Sequence, residues 1–179
     1  GTIGLEILSQ VADVDVIVVP VGGGGLISGV AFTVKQLKPS VRVYGVQAEG
    51  APSMVNSLKD GKIECLESVH TIADGIKVKE PGEHTFEYCS KYVDGVVTVS
   101  DDEISSAILH LIEKQKLVSE GAGATPVAKG ARFFVLFQNN HIAVSVYFNA
   151  NASIKSIHSS YLFRYNEPSE FVYSSDYSC

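Results

Sequence analysis

The sequence predicts an α/β fold, a parallel sheet with helices on both faces, and three observations carry that prediction. Helical and strand-like segments alternate at short connections, as they do when helices cross back over a parallel sheet. The run Val14–Val21 is apolar almost throughout, the pattern of a strand buried on both faces. That run breaks into Gly22-Gly23-Gly24-Gly25 and then enters the apolar-periodic segment Leu26–Leu37, giving strand, glycine loop and helix in succession.

Taken in order, Thr2–Val11 has helical periodicity and precedes the strand Val14–Val21. After the helix Leu26–Leu37, the break Lys38-Pro39-Ser40 leads into a strand at Val41–Gln47. Ala51–Leu58 reads as a short helix stopped by Asp60-Gly61, Lys62–Leu66 as a short strand, and Thr71–Gly75 as a loop. Pro81-Gly82 introduces a helix over Glu83–Tyr92, and Gly95–Val99 follows as a strand. Ser100-Asp101-Asp102-Glu103 has capping-box spacing, and Ile104, Ile108, Leu111 and Ile112 continue it as a helix over Asp101–Leu117. A second small-residue loop, Ser119–Ala124, feeds Thr125–Ala128.

Composition changes near Gly130. All 16 glycines lie at or before that residue, whereas the following stretch is rich in Phe, Tyr and Ser and nearly free of charge. Two units are therefore expected: a partial domain over 1–129, and a divergent aromatic and Ser-rich tail over 130–179, disordered or misfolded. That tail can still contain strands, for example Phe133–Phe137 and Ile142–Phe148. The net charge of −6 argues against a nucleic-acid surface. Cys65, Cys89 and Cys179 are widely spaced, suggesting reduced thiols rather than a disulfide framework or zinc site. With no spanning-length apolar run and no signal-peptide pattern, a soluble cytoplasmic chain without a membrane partner is expected. The sequence opens at Gly1 and its only methionine is Met54, so a fragment is expected.

The chemistry concentrates in the glycine loop. Glycines let backbone N–H groups converge on an anion, and the unpaired first-turn amides and helix dipole add attraction, so a phosphorylated ligand is expected at Gly22–Gly25. A glycine turn made only for close packing is the competing reading, and four consecutive glycines are entropically wasteful for that purpose. No Lys follows the last glycine, which removes a nucleoside-triphosphate P-loop. A dinucleotide site is the nearer rival, with Glu49 at the end of the next strand, but strict G-x-G-x-x-G fails in every register.

The residues Val18-Val19-Pro20-Val21-Gly22-Gly23-Gly24-Gly25-Leu26-Ile27-Ser28-Gly29 resemble the tetraglycine loop of the threonine ammonia-lyase (threonine dehydratase) and serine racemase group of pyridoxal-phosphate enzymes. In the same order, Thr2–Ile7 resembles the helix ahead of that loop and Val43–Gln47 the strand after it. Thr71-Ile72-Ala73-Asp74-Gly75 resembles the active-site loop, and Val118–Ala124 the late loop. The resemblance covers roughly 1–129. It implies an incomplete fold-type II, tryptophan-synthase-β-like domain with pyridoxal 5′-phosphate as cofactor. It also implies conversion of L-threonine to 2-oxobutanoate and ammonia, with L-serine giving pyruvate, and a homo-oligomeric full-length enzyme.

By the same resemblance, the amides of Gly22, Gly23, Gly24, Gly25 and Leu26 hold the cofactor phosphate, Asp74 and Gly75 line the cofactor and substrate side, and Glu120 approaches the ring. Read from the residues alone, Asp74-Gly75 is equally a turn pair and Glu120 equally a helix-start acid. The family's Schiff-base lysine lies in a Ser-Phe-Lys context and its pyridine-nitrogen partner in a Ser-Gly-Gly-Asn-type loop. Neither is found here. No catalytic residue is therefore expected in this chain, which is expected to be inactive alone, its lysine lying upstream. The carboxylates of the racemases' cation site fall on Gln47 and Ser53, so no metal site is expected, and the five scattered histidines form no catalytic set. The alternatives are a non-catalytic truncated paralogue or gene-model product and, third, an NAD(P)-binding domain.

Overall fold

The architecture is that of a computed structural model that describes residues 1–136, 142–144, 163–167 and 170–173. Helix α1 (Thr2–Gln10) leads into strand β1 (Val16–Pro20), then α2 (Gly25–Leu37), β2 (Arg42–Ala48) and α3 (Ser53–Asp60). A 3₁₀ turn at Asp74–Ile76 precedes α4 (Glu83–Tyr92), β3 (Gly95–Val99), α5 (Asp101–His110), a π turn at Leu111–Gln115 and α6 (Gly121–Leu136). Strands β4 (Ile142–Val144), β5 (Phe163–Glu167) and β6 (Glu170–Tyr173) complete the described elements.

Four strands form one sheet in the order β3-β2-β1-β4, and every pairing in it is parallel. Strands β5 and β6 pair antiparallel as a separate ribbon. Strand β1 is central and all five of its residues are buried. Its alternation divides the core into two layers. Val16 and Val18 join Val46, Ala48, Ile104, Leu111 and Val127 on the α5/α6 side. Ile17 and Val19 join Ile7, Ile27, Val30, Val34 and Val43 on the α1/α2 side, with Met54 of α3 and Cys89 of α4. Helices therefore cover both faces, as the sequence predicts. Gly45 lets α2 settle directly on β2: a Cβ there would lie 2.7 Å from Val21 Cγ2 and 2.9 Å from Ile27 Cδ1.

At the edge opposite the glycine loop, Asp94 ties the sheet together. Its carboxylate accepts from the Val43 amide at 2.6 Å and pairs with Lys35 Nζ at 2.8 Å, while Lys35 also donates to Val41 O at 2.9 Å. The capping box on α5 is present in full, with the Glu103 amide donating to Ser100 Oγ and the Ser100 amide to Glu103 Oε2.

Four expectations are corrected. Lys62–Leu66 forms no strand: its ties include a Lys62–Glu64 ion pair, the Glu64 amide donating to Ser57 Oγ at 2.9 Å and the Leu66 amide donating to Lys79 O at 2.9 Å, and it joins no ladder. The helix expected over Asp101–Leu117 is α-helical only to His110, then widens into the π turn, and Lys116 at φ 57° ends it. The loop expected over Ser119–Ala124 is helical from Gly121 onward. That glycine serves close packing, since a Cβ on it would lie 2.8 Å from Ile72 O and 2.9 Å from Ala73 Cα. Helix α6 then continues through the composition break to Leu136, so Phe133–Leu136 is helix and not strand. Ile142–Val144 is a strand as expected, paired in register with Val16–Val18; residues 137 and 145–148 of the two expected strands lie outside the described residues. Of the cysteines, Cys65 is exposed and Cys89 buried, both free, and Cys179 lies outside the described residues. No helix among the described residues is long and apolar enough to cross a membrane.

Candidate functional site

Strand β1 delivers the chain to the carboxyl edge of the sheet at the point where its neighbours diverge, with β2 on one side and β4 on the other. Open α/β sheets place ligands in that crevice. The last pairing there is the Val21 amide donating to Val46 O at 2.9 Å, and the chain then turns through the four glycines into α2.

The four glycines differ in what a side chain would meet, and on Gly23 a Cβ would make only ordinary contact, 3.8 Å from Val78 Cγ1. A Cβ on Gly22 would lie 3.1 Å from both Ile76 Cα and Val78 Cγ2. Gly24 is the N-cap of α2 at φ +93°, and a Cβ on it would lie 2.6 Å from Met54 Cε and 2.9 Å from Thr85 Cβ. Left-handed backbone and crowding together exclude a side chain there. Gly25 is the opposite case, because a Cβ on it would meet nothing within 4 Å and would enter open space.

The loop's carbonyls are engaged while its amides are not. Gly22 O accepts from Gln47 Nε2 at 3.5 Å, Gly23 O from the Gly82 amide at 3.3 Å and Thr85 Oγ1 at 2.5 Å, and Gly24 O from the Ser28 amide at 3.0 Å. Among the described residues no hydrogen bond uses the N–H groups of Gly22, Gly23, Gly24, Gly25 or Leu26, and no side chain caps α2. Five amide donors at the positive end of a helix form an anion site, and they fit a phosphate group.

These residues line one wall of a cavity of about 540 Å³, together with Pro20 and Ile3 of α1. That volume falls among small-molecule sites, roughly 300–1,000 Å³. Gly75, Ile76, Glu120 and Ala122 complete its lining. The segment bearing Gly75 is moored to α5: Thr71 Oγ1 donates to Asp101 Oδ1 at 2.5 Å, the Ile72 amide to Asp101 Oδ2 at 3.2 Å, and the Ala73 amide to Thr71 Oγ1 at 3.1 Å. Gly75 faces Glu120 closely, since a Cβ on it would lie 3.3 Å from Glu120 Oε1. Partial burial, and then the neighbouring Asp74 charge, push the Glu120 carboxyl above its ordinary pKa. The cavity thus has anion-accepting amides and an acidic side chain in its lining.

Of the residues singled out from the sequence, Gly22, Gly23, Gly24, Gly25, Leu26, Gly75 and Glu120 come together around one cavity. Asp74 stands just outside it, exposed, close enough to act on Glu120 by its charge. Among the described residues no lysine and no histidine lines the cavity. Gln47 and Ser53 are both fully buried, and among the described residues no three His, Cys, Asp or Glu side chains gather as a metal site. Sequence reasoning missed Ile3, Gln47, Thr85 and Asp101 as parts of the site's frame. A glutamine inside an apolar strand was a usable signal for Gln47; Asp101 reads only as a helix-start acid, and nothing local marks Thr85.

The chain matches the family described as "Pyridoxal-phosphate dependent enzyme" over residues 1–143. It is 50% identical over 154 residues to the L-threonine ammonia-lyase of Thermotoga maritima, which covers 82% of this chain and 38% of that protein. Among solved structures it is similar to the processed form of threonine deaminase isoform 2 from Solanum lycopersicum, with TM-score 0.78 and 38% identity over 84% of this chain and 45% of that one. Maize serine racemase is likewise similar, with TM-score 0.78 and 35% identity over 86% of this chain and 48% of that one. The chain therefore spans less than half the length of each of these three proteins.

Proposed function

The chain belongs to the pyridoxal-phosphate dependent enzyme family, and from that premise we propose that it forms the phosphate-holding side of the active site of an L-threonine ammonia-lyase, acting on L-threonine and secondarily on L-serine. The observation that carries this reading is the set of five unpaired amides, Gly22 to Leu26, on a cavity of cofactor size. Those amides hold the cofactor phosphate, each as a backbone donor that needs no reorganisation to meet the anion. When bound, pyridoxal phosphate supplies an electron sink for negative charge developing at the substrate Cα.

The chain's other residues orient and tune. Gly75 leaves room where a side chain would strike Ala122 Cβ at 2.9 Å. Glu120 lines the cavity and, with its pKa raised, holds a proton to higher pH than an exposed glutamate. Asp74 contributes negative charge at the mouth, suited to a substrate ammonium. No lysine is among the cavity's described lining residues, and we propose that the Schiff-base lysine is supplied from upstream of this chain. We further propose a cytoplasmic, homo-oligomeric full-length enzyme with no nucleic-acid or membrane partner.

The test is a titration of the purified 179-residue chain with pyridoxal 5′-phosphate, inorganic phosphate and NAD, followed by an assay for 2-oxobutanoate from L-threonine. Saturable cofactor binding that inorganic phosphate competes away, without turnover, is expected. Tight NAD binding with no pyridoxal-phosphate binding would overturn the cofactor assignment, and turnover by this chain alone would overturn the division of the active site.

A further inference from the structure

The geometry points to Thr85 as a positioning residue for the phosphate cradle, acting from helix α4 through the Gly23 carbonyl; the inference rests on the phosphate reading of the glycine loop. Thr85 lies 62 positions from Gly23 in sequence, yet its Oγ1 is 2.5 Å from Gly23 O. The same hydroxyl is 2.9 Å from Gly82 O, and the Gly82 amide reaches Gly23 O at 3.3 Å. The start of α4 thus offers Gly23 two donors at one carbonyl.

The consequence follows from the peptide plane. The described peptide bonds are trans, and in a trans peptide the C=O of one residue and the N–H of the next point in opposite directions. Holding Gly23 C=O toward α4 turns the Gly24 N–H away from α4, to the side of the loop where the cavity lies. Gly24 sits at φ +93°, in a region where glycine is free to rotate, so the peptide on its N-terminal side has little intrinsic preference. The Thr85 hydroxyl, at the shorter distance, strengthens the preference that the longer Gly82 amide bond to the same carbonyl also favours. The body of Thr85 packs on the same residue, 2.9 Å from where a Gly24 Cβ would be. Gly25 and Leu26 need no such device, because the first turn of α2 already aims their amides along the helix axis.

Thr85→Val keeps the shape and removes the donor, while Thr85→Ser keeps the donor. The experiment titrates inorganic phosphate and, separately, pyridoxal 5′-phosphate into the 179-residue chain, reading affinity by calorimetry and the loop amides by ¹H–¹⁵N correlation spectra. Expected are about tenfold weaker binding in Thr85→Val, the scale of one neutral hydrogen bond, and wild-type affinity in Thr85→Ser. The Gly24 amide should lose its phosphate response in Thr85→Val while Gly25 and Leu26 keep theirs. A purely structural role would instead dull all the loop amides together, and that outcome overturns the inference. So does unchanged affinity with a retained Gly24 response, which leaves the phosphate reading standing. If the wild-type loop amides respond to neither ligand, the phosphate reading itself fails and this inference with it. Should Thr85→Val not fold, Thr85→Cys, a weaker donor of similar size, makes the same comparison.

Discussion

Gly24 and Gly25 are chemically identical neighbours with opposite tolerances. An alanine at Gly24 must adopt φ near +93° and push against Met54 and Thr85, so Gly24→Ala should destabilise the chain by about 2 kcal/mol or more, measured by urea unfolding. An alanine at Gly25 meets nothing within 4 Å and improves the first turn of α2. Gly25→Ala should therefore hold or raise stability by up to about 1 kcal/mol while weakening phosphate binding, since the methyl enters the open space beside the unpaired amides. Glu120 makes a pH prediction. Its folded pKa is raised, chiefly by burial, so between the unfolded and folded values the native chain binds more protons and stability falls as pH rises. Glu120→Gln should thus be more stable than wild type above that window and equal to it below the unfolded value, read from melting curves across pH. At this scale the glycine loop was legible because one local motif carries Gly22–Leu26, which line the cavity with Gly75 and Glu120, while Asp74 stands outside it and Ile3 was not marked. The sequence hid Thr85 because its role depends on a contact with Gly23 that no local pattern encodes, whereas Gln47 carried a usable mark as a glutamine inside an apolar strand.

Elements were legible where they carried their own start signals. The α5 start was read from Ser100 and Glu103, and both halves of that box are formed; α4 and β3 begin and end as their Pro-Gly and Asp-Gly punctuation suggests. Errors fell where a glycine had two meanings. Gly121 was read as a loop residue because small-residue runs mark turns, whereas it starts a helix that must approach Ile72 and Ala73 within contact distance. The end of α5 was misplaced for another reason: Leu111 stays in the core through a π turn, and the periodicity of Ile108 and Ile112 does not reveal a change in helix type. One mooring between elements is open to measurement. The Asp101 carboxylate accepts from Thr71 and Ile72 and so fastens the segment carrying Gly75 to α5. Asp101→Ala should cost about 1–2 kcal/mol and speed hydrogen exchange at the Ile72 and Ala73 amides, with exchange in β1 rising only by the amount that the loss of global stability accounts for.

The whole molecule sets what this site can and cannot do. A central strand buried on both faces, flanked by β2 and β4, fixes the glycine loop at the carboxyl edge of the sheet, and α6 with the Asp101-moored segment brings Glu120 and Gly75 to the same cavity. Fold class followed from the apolar β1 and the alternation of elements, but strand order did not, because β4 follows the composition break and its pairing with β1 is long-range. The result is a cavity with unpaired loop amides and an acidic side chain in its lining but no lysine among its described lining residues. Lys35 is paired with Asp94 and Lys129 lies near Glu103, while Lys38 and Lys79 donate to backbone carbonyls, so these four amines are already engaged away from the cavity. Reduction with borohydride in the presence of pyridoxal 5′-phosphate should therefore leave no stoichiometric pyridoxyl-lysine that excess inorganic phosphate protects against. Substoichiometric labelling of exposed lysines, insensitive to phosphate, is the expected background by peptide mass spectrometry. A single lysine labelled to completion and protected by phosphate would mean that this chain brings its own amine to the cavity, and the division of the active site proposed above would have to be abandoned.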